Sequence, residues 1–182
     1  ISSSKMICLS AFLDGRMIVH TGNEMKYPVL TNSTYKESSA IAATQLKQKD
    51  ISQTGNNSLD RFIGSCKMIE EIDAKSTSMS LTAYAFSILD KVSQGDFTKW
   101  SIVYDITEGK IYFKTEGYQQ VKFFEMKEFD FSCSKSCRMF NMNQAGTGDV
   151  SANFIMPDKK IKNKIFEEAM DESSSQISFS TK

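Results

Sequence analysis

Apolar and polar positions divide this chain into runs of different period. Lys5 to Phe12 and Arg16 to His20 read as strands, and Leu13, Asp14 and Gly15 between them predict a hairpin whose Asp-Gly pair supplies the positive φ of a tight turn. A third short strand, Tyr27 to Thr31, is expected to lead into Asn32, followed by an Ala- and Lys-rich helix from Tyr35 to about Gln48. After the polar loop DISQTGNNS, the residues Leu59, Phe62, Ile63, Cys66, Ile69 and Ile72 recur at helical steps, with Asn57 or Ser58 available as N-cap. Arg61 falls on the flank of that stripe, beside the core and not in it. Another helix is expected from about Met79 to Ser93, with Leu81, Tyr84, Ala85, Ile88 and Val92 on one face and Gly95 ending it.

Beyond Gly95 the pattern turns to aromatic and β-branched residues, which pleated surfaces favour. It predicts strands at Trp100 to Ile106, Ile111 to Thr115 and Gln120 to Phe131, with a turn at Thr107 to Lys110. Ser132 to Phe154 is polar and reads as loop with one short strand near Cys137 to Met142; Pro157 precedes a last amphipathic helix, Asp158 to Met170. Strands, helices, strands and a helix in that order indicate an α+β layered domain, with a mainly antiparallel sheet and helices packed on it. A single domain is expected over residues 1–170, with 171–182 a Ser-rich, loose tail.

Composition fits one core of ordinary size: 182 residues, 40% of them hydrophobic and 13 of them Phe. The 22 basic and 22 acidic residues balance, so no net field favours nucleic acid or an anionic membrane. No apolar run approaches the ~20 residues of a membrane-spanning helix. The start ISSSKMI lacks the features of a secretory signal, and a chain beginning with Ile fits a mature fragment or a piece of a longer protein. Localisation is left open between the cytoplasm and a periplasmic or secreted site.

Most familiar chemistries find no support. The one histidine, His20, ends a hairpin strand, and no G-x-S-x-G elbow presents a serine. Cys8, in a candidate strand, and Cys66, on a helix stripe, read as small buried hydrophobes. The spacing of Cys133 and Cys137 matches half a zinc site, but neither a second cysteine pair nor a second histidine is there to complete it. Glu70, Glu71, Asp73, Glu167 and Glu168 sit on helix surfaces as solvated charges, and GTGD at Gly146 to Asp149 is too short to cradle a phosphate. No cofactor is implied.

Two polar residues stand out. A strand-terminal Asn such as Asn32 is ordinarily a turn or cap residue. Arg61, in the first turn of a helix, opposes the positive end of the helix dipole at a cost of a few tenths of a kcal/mol, so another interaction is expected to compensate.

The segments FLDGRMIVHTG, LTN, S-x-x-RF and KWSIVYDITEGKIYFKT, in that order between Phe12 and Thr115, resemble the choloylglycine hydrolase and penicillin V acylase family of N-terminal-nucleophile hydrolases, which cleave linear amide C–N bonds. The resemblance implies an αββα sandwich of which this chain is roughly the C-terminal half. It also implies that Asn32 helps hold the oxyanion or orient the substrate amide, and that Arg61 lies beside the nucleophile and supports its charged state. The family nucleophile is a cysteine at the mature N-terminus with its own α-amine as base; neither Ile1 nor the interior Cys8 can take that part, which places the nucleophile outside this chain. Ser33 and Thr34 follow Asn32 where bile-salt-cleaving members commonly carry a proline, which weakens bile salt as substrate. The implied partners are a small N-acyl amide substrate, the N-terminal portion of the protein and a second copy of the chain. The alternative from another class is a non-catalytic α+β binding or interaction module, or an inactive truncated relative.

Overall fold

The computed structural model describes residues 7–11, 17–21, 25–48, 50–72, 79–132, 134, 136–164 and 167. The chain divides into two compact units, Ile1–Phe97 and Thr98–Lys182. No helix among the described residues is long and apolar enough to cross a membrane. The expected tail at 171–182 lies outside the described residues.

In the first unit, β1 (Ile7–Ala11) and β2 (Met17–Thr21) pair antiparallel, with Ile7 opposite Thr21 and Ala11 opposite Met17. The expected Asp14-Gly15 turn lies outside the described residues. The strand expected at Tyr27 to Thr31 does not form. Met25, Tyr27 and Val29 are buried while Lys26, Pro28 and Leu30 are exposed, so the alternation is present without a ladder. No described strand lies beside this segment, Pro28 has no N–H to give, and the Tyr27 N–H goes instead to the Tyr35 hydroxyl at 3.1 Å.

Three helices follow: α1 (Tyr35–Gln45), α2 (Asn57–Glu70) and α3 (Leu81–Lys91). The Thr34 side chain caps α1 by accepting from the Glu37 N–H, and the helix stops short of Gln48, with Leu46 as its last cap. The N-cap of α2 is Asn56, one residue before the pair proposed from sequence; its Oδ1 accepts from the Ser58 N–H at 2.9 Å and the Leu59 N–H at 3.4 Å. Along α2 the predicted stripe is correct, with Leu59, Phe62, Ile63 and Cys66 buried. On α3 the expected face is half-buried at Tyr84, Ala85, Ile88 and Val92, but Leu81 is 62% exposed and the one buried residue, Phe86, lies about 140° around from the stripe centre at 100° per residue. Ala83, Ala85, Phe86 and Leu89 carry apolar side chains around the helix, so period alone selects no face. The Tyr84 hydroxyl anchors α3 to α2 by donating to the Met68 carbonyl at 2.6 Å. Gly95 does adopt a positive φ, 58°, but three residues beyond the end of the helix at Val92, where it opens a short 3-10 turn, Gly95–Phe97.

The core of this unit gathers Met25, Tyr27, Val29, Tyr35, Ala42, Phe62, Ile63 and Cys66. Phe62 is fully buried, with the Tyr27 and Tyr35 rings set edge-on at centroid distances of 6.2 Å. Such aromatic pairs add about 0.5–1.5 kcal/mol each beyond the area they bury.

The second unit is built on a four-stranded sheet in the order β3 (Trp100–Asp105), β4 (Lys110–Thr115), β5 (Lys122–Glu125), β6 (Gly148–Asp149). β3 and β5 each pair antiparallel with β4, and the short β6 runs parallel to β5. Asp105 opposes Lys110 across a turn in which Gly109 has φ +64° and the Asp105 carboxylate accepts from the Glu108 N–H at 3.0 Å. The strand expected to reach Phe131 ends at Glu125, because its partner β4 begins at the opposing Lys110; Met126 N–H still reaches the Gly109 carbonyl, and a 3-10 turn, Met126–Glu128, follows. The short strand expected near Cys137 to Met142 is reduced to a single bridge between Met139 and Ile155, and the polar GTGD segment contributes β6. Phe113, Phe124, Phe129, Phe140 and Phe154 pack ring against ring, with centroids as close as 4.7 Å for Phe129 and Phe154. Residues 159–164 are helical, with the Asp158 carboxylate accepting from the Ile161 N–H at 2.7 Å.

Lys122 is a fully buried lysine in β5. Its ammonium donates to the Gln144 carbonyl at 2.8 Å and sits over the rings of Phe113 and Tyr118 at 5.7 and 5.1 Å. This fastens the 142–148 segment beside β5, and burial lowers the Lys122 pKa below the usual lysine value. With the folded pKa below the unfolded one, the unfolded chain binds the extra proton between the two values. The desolvation penalty is therefore complete below the folded pKa and fades as pH rises toward about 10.5. Chemical denaturation of the native chain and of Lys122→Met from pH 7 to 10.5 should show their stability difference moving in favour of the native chain as pH rises. A difference independent of pH would refute the placement of a buried ammonium here.

Candidate functional site

Both residues singled out from sequence lie in the first unit, and folding brings them into contact. Asn32 stands in the bend just before Thr34, the N-cap of α1, and Arg61 in the second turn of α2. Although they are 29 positions apart, Arg61 Nη2 donates to Asn32 Oδ1 at 3.0 Å. Arg61 Nε donates to Asn57 Oδ1 at 2.8 Å, one helical turn back. Two amide oxygens thus face the guanidinium; because the helix is capped at Asn56, Arg61 stands in its second turn and not the first turn expected from sequence, so the helix dipole there demands little compensation.

The partners of Arg61 decide two chemical properties of the site. A guanidinium only donates, so Asn32 must present its oxygen to Arg61, which turns the Asn32 NH₂ group away from it. That NH₂ makes no hydrogen bond among the described residues, and Asn32 is exposed, so two donors face outward. The second property is charge. Arg61 is half-exposed and bonded to neutral amides, with no carboxylate paired to it among the described residues, so its positive charge remains available to an anion. Its neighbour Asp60 is engaged elsewhere, accepting from the Thr54 N–H and hydroxyl at 2.7 and 2.8 Å.

Two residues that sequence reasoning took only as capping candidates belong to this cluster. Asn57 orients Arg61, and the Ser58 hydroxyl accepts from the Ser33 N–H at 2.8 Å and donates to Thr31 Oγ1 at 3.0 Å. The run Asn56-Asn57-Ser58 was the available signal: it offers three capping side chains where a helix needs one.

The other candidates lie elsewhere or are chemically quiet. Cys66 is a free thiol in the core, and burial, helped by the nearby Glu70 charge, pushes its pKa up to about 12, which leaves it protonated at neutral pH. Cys137 is a free, exposed thiol, and Cys133 lies outside the described residues. His20 is half-buried in β2, its ring 4.9 Å from that of Tyr35, and the strand register sets it opposite Cys8. No described group of three or more His, Cys, Asp or Glu side chains is arranged to hold a metal ion.

No protein-family model matches this sequence, and no curated protein matches it. Among solved structures it is similar to penicillin V acylase from Agrobacterium tumefaciens, with 20% identity and a TM-score of 0.68 over 86% of this chain and 54% of that one. The chain therefore spans about half the length of that acylase. At such identity the likeness concerns architecture: mixed α+β, with helices and a four-stranded sheet. Over the matched residues, the chain has the fold of that penicillin V acylase.

Proposed function

We propose that the intact protein hydrolyses a linear amide bond in a small N-acyl substrate, within the αββα sandwich of the choloylglycine hydrolase and penicillin V acylase family. This chain supplies Asn32 and Arg61, and residues outside it supply an N-terminal cysteine. The observation that carries the proposal is the Asn32–Arg61 contact itself, which leaves an outward amide donor beside a cation that no carboxylate among the described residues neutralises.

The chemistry follows from those two properties. The cysteine α-amine, with an ordinary pKa of about 8, takes the thiol proton at working pH, and Arg61 favours the resulting thiolate. The thiolate attacks the amide carbonyl, and the Asn32 NH₂ donates to the oxyanion that develops. An interaction of this kind contributes roughly 3–4 kcal/mol to the transition state. The C–N bond then breaks, the leaving amine takes a proton from the α-ammonium, and an acyl thioester remains. Water, deprotonated by the same α-amine, attacks the thioester to release the acid and restore the thiol.

Penicillin V, conjugated bile salts and acyl-homoserine lactones, offered to the intact protein, distinguish acyl groups around the same scissile bond. Hydrolysis of at least one, with a thioester adduct on an N-terminal cysteine seen by mass spectrometry, is the expected result. An intact protein whose mature N-terminus is not cysteine, or which cleaves no linear amide, would refute the mechanism.

A further inference from the structure

The bend that carries Asn32 receives little support from secondary structure. It belongs to no helix or strand, and the Asn32 side chain is exposed, so packing does not fix it. Both residues flanking Asn32 are nevertheless tied to one atom. The Ser58 hydroxyl oxygen accepts from the Ser33 N–H and donates its proton to Thr31 Oγ1, spanning 25 and 27 positions of sequence.

The α2 helix does not itself need that hydroxyl. Asn56 already caps the helix and takes the Ser58 N–H, so the Ser58 side chain is spare as far as the helix is concerned. Its position one turn before Arg61 puts the clasp and the cation on the same rigid segment, while Asn57 between Asn56 and Ser58 holds Arg61 Nε. We propose that Ser58 is a positioning residue: by gripping Thr31 and Ser33 it sets where the Asn32 amide meets Arg61, and hence the direction of the free Asn32 NH₂. The consequence for catalysis rests on the amide-hydrolase reading above; the consequence for Asn32 placement does not.

The atom roles make specific demands. Position 58 must both accept and donate, so Thr can replace Ser and Ala cannot. Thr31→Val keeps the shape at position 31 and removes the acceptor, giving a second route to the same break. The test uses the intact protein, with Ser58→Ala, Ser58→Thr and Thr31→Val compared by nitrogen-resolved NMR of the Arg61 Nε–H and the Asn32 side-chain amide. Arg61→Lys and Asn32→Asp assign those signals by their loss. Ser58→Ala and Thr31→Val should shift both signals and speed their exchange with water, while Ser58→Thr retains them.

In hydrolysis, Ser58→Ala should lower kcat by about tenfold, the scale expected when an oriented group is displaced by a fraction of an ångström. The same change should cost nothing further in an Arg61→Ala background, because the geometry it maintains is already gone. Unchanged NMR signals in both Ser58→Ala and Thr31→Val would overturn the proposal, as would an equal kcat loss with or without Arg61. If the unaltered protein cleaves no linear amide, the functional reading fails while the NMR comparison still decides the role of Ser58.

Discussion

Arg61→Ala should lower kcat for amide hydrolysis by the intact protein about 10²–10³-fold, the range seen when one preorganised stabiliser of developing charge is removed. Two effects combine in this loss. On the proposed mechanism the nucleophile loses the cation that favours its thiolate, and Asn32 loses the donor that fixes its amide orientation, since Nη2 to Oδ1 is the only hydrogen bond on that side chain among the described residues. Without Arg61 the thiol pKa rises, so the acid limb of the kcat/KM profile should move to higher pH. Arg61→Lys should recover little, because a single ammonium cannot reproduce the fork that reaches both Asn57 and Asn32. Stability should change little, because the contacts Arg61 makes are exposed to solvent. A variant with normal kcat would remove Arg61 from the mechanism. A variant inactive only because it is unfolded would be recognised by its melting curve.

Phe62→Ala should cost the first unit about 3–5 kcal/mol, as large-to-small changes at fully buried aromatic positions do. Phe62 has no exposed surface, and its loss removes the ring set edge-on to both Tyr27 and Tyr35. A typical domain is stable by about 5–15 kcal/mol, so this one change removes a large share of the margin. In urea the unfolding midpoint should fall by more than about 1 M, given slopes of roughly 1–3 kcal/mol/M for small proteins. Phe62→Leu, which keeps most of the volume, should fall by less than half as much. The effect should reach the site too, because Phe62 adjoins Arg61 and its partner Tyr27 leads into the Asn32 bend. An Ala variant with an unchanged midpoint would mean that Phe62 is not where the core is concentrated.

Periodicity was most informative where one face of an element meets one core. The α2 stripe could be read from spacing, because burial on a single side leaves a clear period, and the β1–β2 and β3–β4 pairings from the turn residues set between strand-like runs. It misled where the same pattern arises without the same partner. Met25, Tyr27 and Val29 alternate like a strand because they face the core of the first unit, yet a ladder also needs a neighbouring backbone. On α3, apolar residues surround the helix and contacts alone select Phe86. The two-residue β6 carries no apolar signal; it exists because Gly148 and Val150 donate to the carbonyls of Val121 and Phe123.

The candidate site divides along the same line. Sequence by itself determined that Asn32 and Arg61 were polar residues set beside apolar runs, that Arg61 flanked the α2 stripe, and that the motif order resembled an amide-hydrolase family. Only the tertiary structure decided that each residue is the other's partner, that Ser58 clasps the Asn32 bend and that the Arg61 charge meets no carboxylate among the described residues. Local propensity acts over a few residues along the chain. A hydrogen bond between positions 29 apart exists only after the core around Phe62 has brought the 25–35 segment against α2.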